Sequence, residues 1–167
     1  MNQPKYEQIY DFGNLLNASK KALKSRWRYR KEAADFRVNL GKELLELQYD
    51  LANQLYQPLA YRTFIVKDPK KRIISAAPIR DRVVHHALIN VVGKQFERSC
   101  IKDSYACQTD KGTHRAVQRA LEFTRKYDYF IHYDVVKFFD NIDHKILKTI
   151  ISKKLKDSQI MWLLEKI

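Results

Sequence analysis

Glycine and proline are scarce in this sequence, four of each among 167 residues. That scarcity disfavours an all-β fold built on many tight turns, and any low-complexity reading. Cysteine is scarcer still. Cys100 and Cys107 lie in no metal-ligand pattern, and the chain is too long for a short disulfide scaffold, so a reducing, intracellular setting is the default. No apolar run approaches the roughly 20 residues of a membrane span. Met1-Asn2-Gln3-Pro4 carries no apolar signal-peptide core. Acidic residues are in deficit, 19 Asp+Glu against 32 Lys+Arg, for a net charge of +13. Hydrophobic residues make up 45%, enough for one domain with a modest core.

The basic excess is local. Residues 20–42 hold nine basic and two acidic residues, and residues 62–82 hold seven and two, which together account for 12 of the 13 net charges. Localised basic surface of this kind is the footprint of a polyanion partner. Nucleic acid is favoured over a membrane because Trp27 and Tyr29 interleave with Arg26, Arg28 and Arg30, and stacking on nucleotides uses that pairing. A solvated helix face explains the first stretch as well, and the second less well.

In chain order, Tyr6, Ile9, Tyr10, Phe12, Leu15 and Leu16 predict a short helix interrupted at Gly13, with Asn17-Ala18-Ser19 capping a helical basic segment over 20–31. Phe36, Leu40, Leu44, Leu47, Leu51 and Leu55 form one apolar stripe and predict a helix over 33–56 ended by Pro58. Residues 61–76 read as a hairpin whose turn, Lys67-Asp68-Pro69-Lys70-Lys71, makes a basic tip suited to phosphates. Pro78 opens a helix over 80–97. Arg80 and Arg82 sit in its first turn, where the helix dipole disfavours cations, so an external anion or a fixed acidic partner is expected. His85 and His86 are adjacent, point about 100° apart and cannot form one simple metal site; they read as core-edge or hydrogen-bonding histidines. Lys111-Gly112-Thr113 lacks the upstream glycine and the strand of a phosphate loop. Thr113 caps a helix over 113–126, Asp143 caps one that ends near Lys153-Lys154, and a last helix begins near Asp157-Ser158.

The stretch that organises the chain is Tyr133-Asp134-Val135-Val136-Lys137-Phe138-Phe139-Asp140-Asn141-Ile142-Asp143-His144. Its apolar approach, Phe130-Ile131-His132, and its period-two alternation predict a buried strand over 129–136 with Phe130, His132, Asp134 and Val136 on one face. A carboxylate there needs a strong partner, because desolvating an unpaired charge costs several kcal/mol. A divalent cation is one such partner, and a salt bridge to a Lys or Arg is the other.

Four blocks in order then carry a resemblance: Lys70-Lys71-Arg72-Ile73-Ile74-Ser75-Ala76-Ala77-Pro78; Ile79-Arg80-Asp81-Arg82-Val83-Val84-His85-His86-Ala87-Leu88; Ser104-Tyr105-Ala106-Cys107 with Lys111-Gly112-Thr113-His114-Arg115-Ala116-Val117; and Tyr133 to His144. Over about residues 60–155 the chain resembles the bacterial reverse transcriptases of diversity-generating retroelements, group II introns and retrons. The Ser-Tyr-Ala-Cys and Lys-Gly-Thr-His wording is closest to the diversity-generating type. The resemblance implies an α+β fold: helix-rich fingers with a β-hairpin, plus the first strand and helix of the palm. It divides the chain into a basic, helical RNA-binding extension (1–58), fingers (59–128) and the start of a palm (129–167).

The same resemblance implies an RNA-directed DNA polymerase working on an RNA template, a primer and dNTPs in the bacterial cytoplasm, with no membrane partner. Asp134 and the Val135 carbonyl would hold the two Mg²⁺ ions of nucleotidyl transfer. Arg72 and Arg80 would clamp the triphosphate, the backbone at Lys137 and Phe138 would face it, and Phe139 would gate the sugar; by periodicity Phe139 is equally a core aromatic beside Phe138. Lys71, Gln108 and Lys111 would touch the template. The family's second acidic motif, Tyr-x-Asp-Asp, is absent, as is any Asp-Asp pair. One carboxylate cannot hold two Mg²⁺ ions, so the expectation is a fragment that is inactive alone. The alternative is a maturase-like RNA-binding module without catalysis. A helical DNA-binding regulator is a poor third, because no recognition-helix pattern is present.

Overall fold

Asp11 divides the first helical segment. Its backbone leaves the helical region (φ −52°, ψ 131°), and its carboxylate accepts the Asn14 N–H at 3.0 Å, capping the helix that follows. The segment is therefore two helices, α1 (Glu7–Tyr10) and α2 (Phe12–Ala22). The expected break at Gly13 and cap at Asn17-Ala18-Ser19 both fall inside α2. Asp11 supplies the cap earlier, and Ser19 is buried with its hydroxyl donating to Leu16 O at 2.8 Å.

The computed structural model describes residues 3–24, 31–67 and 69–167. The Arg26-to-Arg30 segment, with Trp27 and Tyr29, lies outside them, as does Asp68 in the hairpin turn. The chain is α+β and helix-rich, with one antiparallel two-stranded hairpin among the described residues. It forms two units: Met1–Gly93 with Leu155–Ile167, and Lys94–Lys154.

In the first unit, the helix expected over 33–56 is α3 (Lys31–Val38) and α4 (Leu40–Ala52). The break is Asn39, whose backbone leaves the helical region (φ −102°, ψ 17°) while its side-chain amide shares Asp35 O, at 3.2 Å, with its own i→i−4 N–H. α4 ends six residues before Pro58. Gln54 adopts φ 57°, and the Leu55 and Tyr56 N–H groups return to Asp50 O, a left-handed C-terminal wrap. Of the apolar stripe, Phe36, Leu44, Leu47 and Leu51 are buried, while Leu55 is exposed beyond the wrap. Strands β1 (Arg62–Lys67) and β2 (Lys71–Ala76) pair as expected, and α5 (Ile79–Glu97) buries Val83, Val84, Ala87, Leu88 and Val92.

The last helix, α8 (Ser158–Lys166), returns to the first unit. Asp157 caps it by accepting the Gln159 and Ile160 N–H groups, and its other oxygen accepts the Tyr6 N–H at 2.9 Å. The buried Tyr6 hydroxyl donates to Leu51 O at 2.7 Å, so one residue fastens α1, the end of α4 and the cap of α8.

The second unit holds α6 (Thr113–Thr124) and α7 (His144–Lys154). Gly112, at φ 122°, is the N-cap of α6, and Thr113 is its first helical residue. That φ suits glycine and strains any other residue. None of residues 94–154 is buried.

The strand expected over 129–136 is absent. Residues 129–135 carry no regular structure, no described strand pairs with them, and Tyr129, Phe130 and Ile131 are 92%, 85% and 88% exposed. A strand is defined by its ladder. The apolar, β-rich sequence of this segment has no neighbour to satisfy its backbone among the described residues.

Candidate nucleic-acid interface

The hairpin is built from its register upward. Arg62 faces Ala76, Phe64 faces Ile74 and Val66 faces Arg72 on one side; Thr63 faces Ser75, Ile65 faces Ile73 and Lys67 faces Lys71 on the other. Lys67 and Lys71 therefore stand directly opposite each other at the pair that closes the turn. Like charges in that position repel and destabilise the ladder. No carboxylate pairs with either among the described residues. The flanking pair is Ile65 (54% exposed) and Ile73 (70% exposed), so this face presents two lysines beside two uncovered isoleucines. Lys70 and Arg72 are exposed as well.

Lys71 and Arg72 are adjacent on β2 and point to opposite faces of the ribbon, so the residue expected at the template and the residue expected at the triphosphate lie on different sides. Arg80 is already engaged. Its Nη2 lies 2.5 Å from Asp50 Oδ2, and its guanidinium is 5.8 Å from the Tyr56 ring centroid. Asp81 beside it is buried, accepting the Tyr56 hydroxyl at 2.7 Å and the Leu59 N–H at 2.9 Å. Burial, then the hydrogen bond to Asp81, pushes the Tyr56 hydroxyl far above its ordinary pKa. Glu32 accepts the Ile79 N–H at 2.8 Å, giving the start of α5 a second acidic contact.

In the second unit, Lys111 is held inward. Its ammonium donates to Lys102 O at 2.6 Å and Ser104 O at 2.9 Å and sits 5.4 Å from the Tyr105 ring centroid. It closes the loop ahead of α6. Gln108 donates to Cys100 Sγ at 3.3 Å. The loop and α6 line an open pocket of about 340 Å³ that adds Lys102, Arg115 and Arg119 to Lys111. Asp103 lies in it, 3.0 Å from Arg119 Nε, and the Arg119 hydrogen bond holds its carboxyl below the usual carboxylate range. Sequence reasoning missed these three cations, which are scattered at no motif spacing.

Asp134, Val135, Lys137, Phe138 and Phe139 fall on one exposed segment. Asp134 Oδ1 accepts the N–H of its neighbour Val135 at 2.9 Å. Lys137 adopts φ 47°, and Asn141 closes the turn from Val136 to Asn141 by donating to Val136 O, Lys137 O and Phe138 O. Phe138 and Phe139 meet edge to face, ring centroids 5.2 Å apart. The buried setting expected for Asp134 is corrected: the carboxylate is exposed, so solvent stabilises it and it needs neither an ion pair nor a metal. No group of three or more His, Cys, Asp or Glu side chains able to hold a metal occurs among the described residues. Two Mg²⁺ ions require several anionic oxygens. The residues present do not fit a two-ion centre.

No family model matches the chain. Protein YkfC of Escherichia coli K12 is 28% identical over 136 residues, covering 77% of this chain and 36% of that protein. The nuclear intron maturase 1, mitochondrial, of Arabidopsis thaliana is 28% identical over 101 residues, covering 59% of this chain and 14% of that protein. The chain thus spans about a third of the length of the first relative and about a seventh of the second. It is similar, over part of its length, to an intron maturase.

Proposed function

We propose that this chain is the RNA-gripping portion of a reverse transcriptase of the group II intron, retron or diversity-generating type: fingers and the first part of a palm. The observation that carries the reading is the Lys67–Lys71 pair, two like charges set face to face on an exposed ribbon. Such a pair is relieved by a bound phosphate. The maturase similarity and the net charge of +13 support the same partner. The uncovered isoleucines beside the lysines suit contact with sugars and bases of an RNA strand.

On this reading the longer parent is an RNA-directed DNA polymerase that uses template, primer and dNTPs. Its Asp134 joins carboxylates from elsewhere to hold two Mg²⁺ ions, and the 167 residues alone do not polymerise. The second reading is a maturase-like RNA-binding module without catalysis; it is supported by the exposure of Asp134, which belongs to no metal-binding group among the described residues.

The test is RNA binding against salt. Affinity should fall steeply between about 50 and 200 mM salt, each phosphate contact adding about 0.7 (single strand) or 0.9 (duplex) to the log–log slope. Lys67→Gln with Lys71→Gln should reduce that slope. Affinity indifferent to salt overturns the reading.

A further inference from the structure

A second cationic surface gives the first basic stretch, residues 20–42, a definite geometry. Asn14, Asn17, Lys20 and Lys21 recur at three- and four-residue steps along α2, so they share one face, and Lys24 continues it just past the helix end. With Asn90 of α5 they line a groove of about 540 Å³. Its lining contains three lysines, three asparagines and no acidic side chain.

The amides organise it. Asn14 Nδ2 donates to Ala87 O at 3.0 Å, tying α2 to α5. Asn90 Nδ2 donates to Asn14 Oδ1 at 2.9 Å, and Lys21 Nζ donates to Asn90 Oδ1 at 2.5 Å. Lys21 is thus held in place by a chain of neutral groups that leaves its charge uncompensated. No ion pair involves Lys20, Lys21 or Lys24 among the described residues. The C-terminal end of α2 explains why cations are tolerated there. It does not explain why two asparagines brace one of them. The positive field also reaches His86, whose pKa is lowered by burial first, then by Arg82 and Lys21.

We propose that this groove binds the phosphodiester backbone of RNA, as a contact separate from the hairpin. The proposal rests on the RNA-binding reading above and assigns the residues of a second site. Geometry selects the ligand. Residues 14 to 24 cover about 15 Å of helix axis at about 1.5 Å per residue. That is too long for one phosphate ion. It matches several phosphates of one strand, which follow each other every ~3.4 Å of axis in a duplex. Among the described residues no aromatic or apolar side chain lines the groove, so its described lining meets phosphates and not bases. Contacts of that kind carry no sequence preference.

The experiment uses the whole chain and a labelled RNA stem–loop with a single-stranded flank. The Lys20→Gln, Lys24→Gln double variant spares Lys21 and its asparagine support. It should lose roughly tenfold in affinity at physiological salt, and its log–log salt slope should fall by about 0.7 to 0.9 per lysine. The loss should be equal for RNAs of unrelated sequence and should add to that of the Lys67→Gln, Lys71→Gln variant, because separate sites combine additively. A thermal melt matching the parent chain establishes that the exposed substitutions leave the fold intact. Three outcomes overturn the proposal. If the chain binds RNA and the double variant binds with the same slope, the groove is a solvated face. If the parent chain binds inorganic phosphate at the groove and the double variant loses only that, the ligand is a small ion. If the double variant changes binding to phosphatidylserine vesicles and leaves RNA binding unchanged, the surface serves a membrane. If the unaltered chain binds no RNA at all, the proposed function itself fails, a result distinct from the first three.

Discussion

Arg80 and Asp50 meet at 2.5 Å, Nη2 to Oδ2, joining the first turn of α5 to the end of α4. The pair resolves an oddity of the sequence, which places cations where the dipole of α5 disfavours them. The fixed acidic partner comes from α4. Arg80 is therefore part of the scaffold in this structure, and clamping a triphosphate would require it to give up Asp50.

Arg80→Ala should accordingly lower stability by about 1 kcal/mol, the upper end for a partly exposed ion pair, and should leave the salt slope of RNA binding unchanged. Urea unfolding of Arg80→Ala, Asp50→Asn and the double variant measures the coupling. A slope reduced by about one contact in Arg80→Ala would show that the guanidinium reaches RNA instead.

Tyr56→Phe removes one of the two donors to the buried Asp81 carboxylate. Leaving that oxygen unsatisfied should cost about 1–3 kcal/mol. The Leu59 N–H bond remains, so the fold should survive with a lower melting temperature. An unchanged melt would mean that water replaces the hydroxyl.

Acid should weaken the first unit. His85 Nε2 is buried without a hydrogen-bond partner among the described residues. Burial holds its pKa below the ordinary 6.5; Asp81 opposes this and Arg82 adds to it. His86 is lowered by burial, Arg82, Lys21 and His85. A histidine whose folded pKa is depressed takes up its proton more readily in the unfolded chain. Its contribution is fully present above pH 6.5 and declines as pH falls through and below that value. Unfolding midpoints measured from about pH 7.5 to about pH 5.5 should drop, and His85→Gln should flatten the curve.

On the proposed polymerase reading, Asp134→Asn should abolish synthesis by a longer parent in a primer-extension assay on an RNA template, because there it would remove a metal ligand. In the 167-residue chain neither version should extend a primer, and RNA affinity should be equal in both. Asp134-dependent extension by this chain would overturn the fragment reading.

The helices were legible wherever an apolar stripe met a clear cap. α5 and the capping of α7 by Asp143 and α8 by Asp157 follow from periodicity and short polar side chains. The hairpin was legible because β-branched runs flank a polar turn. Asn39 was not, since a side chain that competes for Asp35 O looks like any polar position in a helical stripe. The Asp134 segment was misjudged for a different reason. Its residues favour a strand, but a strand depends on a neighbour that local pattern does not reveal. At the candidate site, the basic ribbon was readable from charge. The bracing of Lys21 by Asn90 was not, because residues 69 positions apart meet only after α2 packs on α5.

The division of the chain has a topological consequence. The first unit is discontinuous: it runs to Gly93 and resumes at Leu155. Its closure is internal, through Tyr6 bonded both to Leu51 and to the Asp157 cap. Within the second unit, Gln95 Nε2 donates to Lys154 O at 2.5 Å, so the two ends of that segment lie side by side. The 61 residues of that segment, Lys94–Lys154, are an insertion in sequence, and the Tyr6 bonds that close the first unit involve none of them. A short glycine–serine bridge in their place should leave that unit folded. The segment bearing Asp134 can then be redesigned or exchanged as a cassette while both basic surfaces stay where they are.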